Sequence, residues 1–302
     1  MKTFGLIVPF YSNLEYFSEL IDSIKRQSSS LYEVLIVDDS GKRVIHRIVE
    51  EEIKDDRFTF IENDVNQGPF ASWNTGLVEM ANRQKYSLLS IVHADDVLDL
   101  DYVKNAIEAL NDHPEVDIFH SKVKIIGSNG GWKFSFQDSV KSLANVGSIG
   151  KPIKSFGDKG LSHILRNNFV FCPTMIFNVS KFDSIEFGTR WKMVGDLEFI
   201  SQALLEGRSL LRLSEKNYYY RRHDDNLTAE LTLNTKRFKE EIELYGNLES
   251  RCKKVGFYKS AAAAKKARII KLHIMYRMVT ALLRFDFVGF RRLLNLLLTI
   301  GR

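Results

Sequence analysis

Phe4-Gly5-Leu6-Ile7-Val8-Pro9-Phe10-Tyr11-Ser12-Asn13 and Tyr32-Glu33-Val34-Leu35-Ile36-Val37-Asp38-Asp39-Ser40-Gly41 decide the fold. Each begins as an unbroken apolar run and stops abruptly, the first on a proline and the second on paired aspartates. A run without polar alternation is the pattern of a strand buried on both faces, as in a parallel sheet. Between the two, Leu20, Ile21 and Ile24 recur at helical spacing. Val44 to Ile53 then reads as a helix and Phe58 to Ile61 as a strand. Phe70 to Asn82 is helical after the loop Asn66-Gln67-Gly68-Pro69, and Ser87 to Val92 is a fourth strand. This alternation predicts a doubly wound α/β sheet with right-handed crossovers. Ligands bind such sheets outside the carboxyl ends of the strands, so the aspartate-rich exit loops are where chemistry is sought.

Past Asp117-Ile118-Phe119-His120 the pattern loosens, and Gly127 to Gly160, rich in Gly, Ser and Lys, reads as mobile loops. Ser162 to Asn167 reads as a short helix, Thr174 to Phe177 as a strand and Asp196 to Leu205 as an amphipathic helix. The division expected is an α/β domain over residues 1–228 and a helical extension over 229–302.

The 302 residues are 44% hydrophobic and 27% charged, an ordinary globular composition that excludes disorder and collagen-like structure. Two cysteines, Cys172 and Cys252, supply neither a disulfide framework nor a four-ligand zinc site. The net charge of +5 conceals an asymmetry: residues 251–302 hold thirteen Lys and Arg against one acid, Asp286, for +12, whereas residues 1–250 carry −7. No apolar run reaches the ~20 residues of a membrane span. The short apolar run after Met1-Lys2-Thr3 is too brief for a signal peptide, so a cytoplasmic location is expected.

Ile7-Val8-Pro9-Phe10-Tyr11-Ser12-Asn13, Val37-Asp38-Asp39-Ser40 and His93-Ala94-Asp95-Asp96, in that order and spacing, resemble the family 2 glycosyltransferases of the GT-A fold. The resemblance covers roughly Thr3 to Thr228. It implies a metal-dependent inverting enzyme that moves a sugar from a nucleoside diphosphate to a hydroxyl of a surface glycan, such as a lipid-linked precursor of lipopolysaccharide or capsule. A diphosphate leaving group needs charge neutralisation, and Mn²⁺ or Mg²⁺ held by one or two carboxylates provides it. By resemblance Asp96 is the metal ligand and Asp95 meets the ribose or shares the ion, although His93 stands where the family often has another acid. Asp39 would accept a hydrogen bond from the base ring, and Pro9 and Tyr11 would line it. Asn66, Gly68 and Asn74 would form the nucleotide-facing loop and helix start. Trp73 replaces a basic residue that is frequent there, and it could stack on the donor or pack in the core.

Gly195-Asp196-Leu197-Glu198 resembles the family's base motif, with Asp196 as the base and Gly195 in place of a frequent Glu; Glu198 is the alternative. Tyr218-Tyr219-Tyr220-Arg221-Arg222-His223-Asp224-Asp225 resembles the closing segment, which makes His223 a second metal or phosphate candidate and Arg222 or Arg221 a source of charge for the diphosphate. Each residue also has a plain structural reading: Asp95 and Asp96 as an acidic helix-capping turn, Asp196 as an N-cap, Tyr11 as core and His223 as a surface imidazole.

Two other classes compete. A nucleotidyltransferase, like a dinucleotide-binding oxidoreductase, would carry glycines where Pro9 to Asn13 stand. An inactive, nucleotide-binding scaffold at the membrane surface would have no use for acids at 39, 95, 96 and 196. In the tail, Ile269, Ile270, Leu272, Ile274 and Met275, then Phe287, Phe290, Leu293 and Leu294, recur at helical spacing among Lys and Arg. Basic amphipathic helices lie on anionic membranes, so docking on the inner face of the cytoplasmic membrane is expected. The same stripe could instead pack on the catalytic body or on a second copy of the chain. Nucleic acid is not expected, since an electrostatic arm needs no such run of Leu and Ile.

Overall fold

A computed structural model describes residues 3–131, 152–223 and 235–300. The paired apolar runs form adjacent strands: β1 (Phe4–Phe10) lies parallel to β2 (Tyr32–Asp38) on one side and to β4 (Leu88–Ile91) on the other, and β3 (Phe58–Glu62) adds to β2. β1 has no polar alternation because both its faces are covered. Leu6 and Val8 join a core with Phe17 and Ile24 of helix α1 (Leu14–Lys25) and with Tyr102 and Val103, whereas Ile7 joins Val37, Trp73 and Leu77 on the opposite face.

The sheet is mixed, in the order β3-β2-β1-β4-β9-β6-β10-β8. β9 (Met175–Asn178) runs antiparallel to β4 and to β6 (Ile118–His120). β10 (Ser209–Arg212) is parallel to β6 and antiparallel to β8 (Ile153–Phe156). Three short strands, β5 (Val97–Leu98), β7 (Val123–Ile126) and β11 (Tyr218–Arg221), form a second sheet in the order β5-β11-β7. The remaining helices of the body are a helical segment at Ile45–Ile53, α3 (Pro69–Asn82), α4 (Tyr102–Asp112), α5 (Gly157–Asn167) and α6 (Gly195–Leu205); the helical segment is α2.

One expectation is corrected. The part of the expected loop at 152–160 that is described is ordered, as β8 and the first turn of α5, and residues 132–151 lie outside the described residues. The expected closing segment opens as a strand, with Tyr218 and Arg221 buried between β5 and β7.

The extension forms α7 (Lys236–Lys254), α8 (Tyr258–Lys266), α9 (Arg268–Leu283) and α10 (Phe287–Thr299). The expected boundary at 228/229 falls in 224–234, outside the described residues. Phe238, Leu244 and Leu248 of α7, Ala261 and Ala264 of α8 and Ile270 and Ile274 of α9 enter the same core as Leu161 of α5 and Leu197 of α6. Asp158 of α5 fastens α8. Its carboxylate accepts from the Lys259 and Ser260 N–H groups at 3.0 and 2.7 Å and from the Ser260 hydroxyl at 2.6 Å.

Candidate active site

The exit loops of β2 and β4 stand on either side of β1, about 10 Å apart at the usual strand spacing. Each loop gathers a cluster of polar side chains.

At β2, Asp39 is 4% exposed and its carboxylate is fully engaged. Oδ1 accepts from Asn63 Nδ2 at 2.8 Å and the Gln67 N–H at 2.9 Å, and Oδ2 accepts from Asn66 Nδ2 at 2.9 Å and the Gly68 N–H at 3.0 Å. A carboxylate offers about four acceptor positions, and here the loop after β3 takes them all. The expected bond from a base ring to Asp39 therefore meets an occupied carboxylate. In this arrangement Asp39 shapes the loop that carries Asn66 and Gly68. Gly68, at φ +86°, turns the chain into α3 through a conformation that disfavours side chains. Pro9 lies within β1 opposite Val37, and Tyr11, just past the strand's end, is 63% exposed, so it is not core. Asn74 faces elsewhere: its amide donates to the Phe187 carbonyl and accepts from the Phe187 N–H, both at 2.8 Å, which clamps the segment before α6.

At β4, His93, Asp95 and Asp96 bring a ligand atom each within 4.8 Å of one another. Asp96 is fully buried; its Oδ1 accepts from the Arg221 N–H at 2.7 Å, and its Oδ2, without a well-formed hydrogen bond, stands 4.0 Å from His93 Nδ1. Burial and the neighbouring Asp95 push the Asp96 carboxyl well above the usual range. Burial pushes the His93 imidazole down, towards the neutral form that ligates metals. Burial opposes the charge on Asp95, yet the hydrogen bond from His223 holds its carboxyl below the ordinary value. His223 Nε2 donates to Asp95 Oδ2 at 3.0 Å, and the ring packs on Tyr16. The expected pairing of Asp96 with His223 is thus regrouped: His223 braces Asp95, and His93 joins the two acids. Orphaned Asp96 Oδ2 and a neutral imidazole beside two carboxylates fit a divalent ion that tolerates one nitrogen ligand.

Arg221 organises this cluster from behind. Its side chain is fully buried; Nε donates to the Asp95 carbonyl at 2.7 Å, a terminal nitrogen to the Ser128 carbonyl at 3.1 Å and the other to Glu19 at 2.6 Å. Arg222 lies with its guanidinium over the Tyr220 ring.

Asp196 opens α6, half-buried, and its Oδ1 accepts from the Leu197 N–H at 2.8 Å. Its charge reaches Cys172, whose thiol burial holds well above its usual range, and Arg237 of α7. Glu198, the alternative base, accepts instead from Trp191 Nε1 at 2.6 Å. A Cβ on Gly195 would come within 2.8 Å of the Phe70 ring, so the acid frequent at that position has no room here. Phe70 packs edge-on against Trp73, and Trp73, buried, lies 5.5 Å from the His93 ring. An aromatic bridge therefore joins the start of α6 to the acidic loop.

Arg237 and Glu19 are not among the expected site residues, and Arg221, expected at the diphosphate, instead braces the acidic loop from behind. Arg237 follows the closing segment by a dozen residues, and its charge there was the available signal; nothing local marks Glu19.

Residues 6–181, more than half of the chain, match the family model for Glycosyl transferase family 2, and the chain belongs to that family. It is 25% identical over 225 residues to a Staphylococcus aureus poly(ribitol-phosphate) beta-N-acetylglucosaminyltransferase, TarS, covering 73% of this chain and 35% of the relative. It is 23% identical over 245 residues to a Bacillus subtilis minor teichoic acid biosynthesis protein, GgaA, covering 78% and 51%. The chain thus spans between a third and about half of these relatives. The crystal structure of S. aureus TarS 1–349 in complex with UDP-GlcNAc superposes with a TM-score of 0.63 at 17% identity, covering 96% of this chain and 90% of that one, which establishes the GT-A fold.

Proposed function

We propose that the protein transfers a sugar, with inversion, from a nucleoside diphosphate sugar to a hydroxyl of a cell-surface polymer. The observation that carries this reading is the pair of clusters flanking β1: the Asp39 loop on one side and His93, Asp95 and Asp96 on the other, spaced for a nucleoside diphosphate laid across the sheet's mouth. The base would lie against Pro9, Tyr11 and the loop of Asn66 and Gly68. Asp95, Asp96 and His93 would hold Mn²⁺ or Mg²⁺, with His223 bracing Asp95 and Arg222 near the phosphates. A bound divalent ion supplies charge neutralisation for the departing diphosphate.

Asp196 takes the acceptor proton as the hydroxyl oxygen attacks the anomeric carbon from the side opposite the diphosphate. The carbon–oxygen bond to the diphosphate breaks in the same step, so the centre inverts. One general base suffices for a single displacement. One relative acts on poly(ribitol-phosphate) and the other is named for minor teichoic acid, which favours an acceptor of the teichoic acid type over the lipopolysaccharide or capsule precursor suggested by the sequence. Such an acceptor is met at the inner face of the cytoplasmic membrane.

The test is release of nucleoside diphosphate from a panel of sugar nucleotides, with Mn²⁺ and with chelator. Ion-dependent release of nucleoside diphosphate is expected. Pyrophosphate as the product would assign a nucleotidyltransferase, and binding without turnover for every donor would assign a scaffold.

A further inference from the structure

The helices α9 and α10 pack against each other, and α9 also packs on the body. The buried residues of α9 are Ile270, Ile274 and Ala281, and Ile270 and Ile274 join the core of the body. A second apolar set, Leu272, Met275, Val279, Leu282 and Leu283, is exposed. At 100° per residue the two sets centre about 150° apart, on nearly opposite sides of the helix. Packing on the body therefore leaves this second set uncovered. The turn into α10 continues the exposed half: Leu283 is 77% exposed, Phe285 80% and Phe287 65%. Of the eighteen exposed large hydrophobic side chains among the described residues, ten fall between Leu272 and Leu298. So concentrated a patch marks a docking surface.

Charge selects the occupant. Arg268, Lys271, Arg277, Arg284, Arg291 and Arg292 are distributed along the same hairpin. The one acid after Arg251, Asp286, is engaged in capping α10 through the Gly289 N–H at 2.8 Å. A second copy would set one +12 segment against another. An anionic lipid surface meets both demands, since acyl chains take the phenyl rings and phosphate headgroups take the guanidinium groups. No described helix is long and apolar enough to cross a membrane, which suits a hairpin lying in the interface.

We infer that the outward face of the α9–α10 hairpin, led by Leu283, Phe285 and Phe287, inserts into the headgroup boundary of an anionic bilayer. This deepens the membrane-face reading above, but vesicle binding and sugar-nucleotide turnover are measured separately, so either can fail alone.

The experiment is co-sedimentation of the full chain with phosphatidylcholine vesicles, with and without phosphatidylglycerol, alongside analytical ultracentrifugation without lipid. The wild type should pellet with phosphatidylglycerol vesicles, remain in solution with phosphatidylcholine alone and be released by salt. Phe285→Ser/Phe287→Ser should lower vesicle affinity at least tenfold, as should Arg284→Glu/Arg291→Glu/Arg292→Glu, with unchanged melting temperatures because these side chains are exposed. Undiminished vesicle binding by the phenylalanine variant would overturn the inference. So would a wild-type dimer that the same variant converts to a monomer, which would give the surface to a second copy.

Discussion

The guanidinium Nε of Arg221 donates to the backbone carbonyl of Asp95 at 2.7 Å, so a residue of the second sheet holds the acidic loop of the first. Because the Arg221 N–H also donates to Asp96, one residue positions both acids from two directions. Arg221→Met strands several buried acceptors and should cost about 3–5 kcal/mol, the usual cost of breaking a buried charged network. Arg221→Lys keeps the charge but loses the planar fork, and should recover only part of it. Thermal unfolding checks both, and Mn²⁺ affinity should fall in the lysine variant even where it is folded.

Asp39→Asn is isosteric, yet it should weaken nucleotide binding nearly as much as Asp39→Ala. The carboxylate accepts two donors on each oxygen, and an amide nitrogen in place of either oxygen turns two hydrogen bonds into donor–donor contacts. Calorimetric titration with nucleoside diphosphate measures the loss, expected at tenfold or more, about 1.4 kcal/mol. The ion requirement should stay the same.

His93→Asp should move ion preference from Mn²⁺ towards Mg²⁺, because an all-oxygen set suits the harder ion and an imidazole does not. His93→Ala should weaken both. Mn²⁺ binding followed by electron paramagnetic resonance, with Mg²⁺ competition, reads this without turnover. Equal Mn²⁺ affinity in wild type and His93→Ala would remove His93 from the ligand set.

Asp196→Asn should lower kcat by orders of magnitude while leaving nucleotide affinity intact, since an amide cannot take the acceptor proton. Near-normal turnover would move the base elsewhere.

His120 lies buried in β6 with Nδ1 unpartnered, and burial together with the Arg212 charge pushes its imidazole down to about 3. His163, which shares the Phe169 ring with it, is pushed down by burial as well. Between the ordinary imidazole value of about 6.5 and pH 3 the unfolded chain binds a proton that the folded chain refuses, so stability falls as pH falls, by up to about 1.4 kcal/mol per unit for His120. The stability is fully present above pH 6.5. His120→Gln should show a shallower decline in melting temperature between pH 6.5 and 4.5, with His163→Gln as the companion measurement.

The parallel half of the sheet was legible because β1, β2 and β4 are buried on both faces and therefore unbroken in sequence. β7, β8 and β11 were not: each is four residues long, and β11, Tyr-Tyr-Tyr-Arg, buries an arginine that pattern reading assigns to the surface. Asp39, Asp95 and Asp96 stood out as acids at strand exits. What they bond to did not, since Asn63 reaches Asp39 from 24 residues away, and His223 and Arg221 reach Asp95 and Asp96 from 128 and 125 residues away. Gly195 read as a departure from a motif, and only the Phe70 ring against its Cα supplies the cause.

Asp158 grips the first turn of α8 through three short hydrogen bonds, and α5, which carries Asp158, packs directly on α6, at whose start Asp196 stands. The extension is thus bolted to the catalytic body and is not a leash. On the proposed reading, whatever captures the hairpin would also fix the tilt of the sheet's mouth, so an arriving acceptor would meet Asp196 from a restricted set of directions.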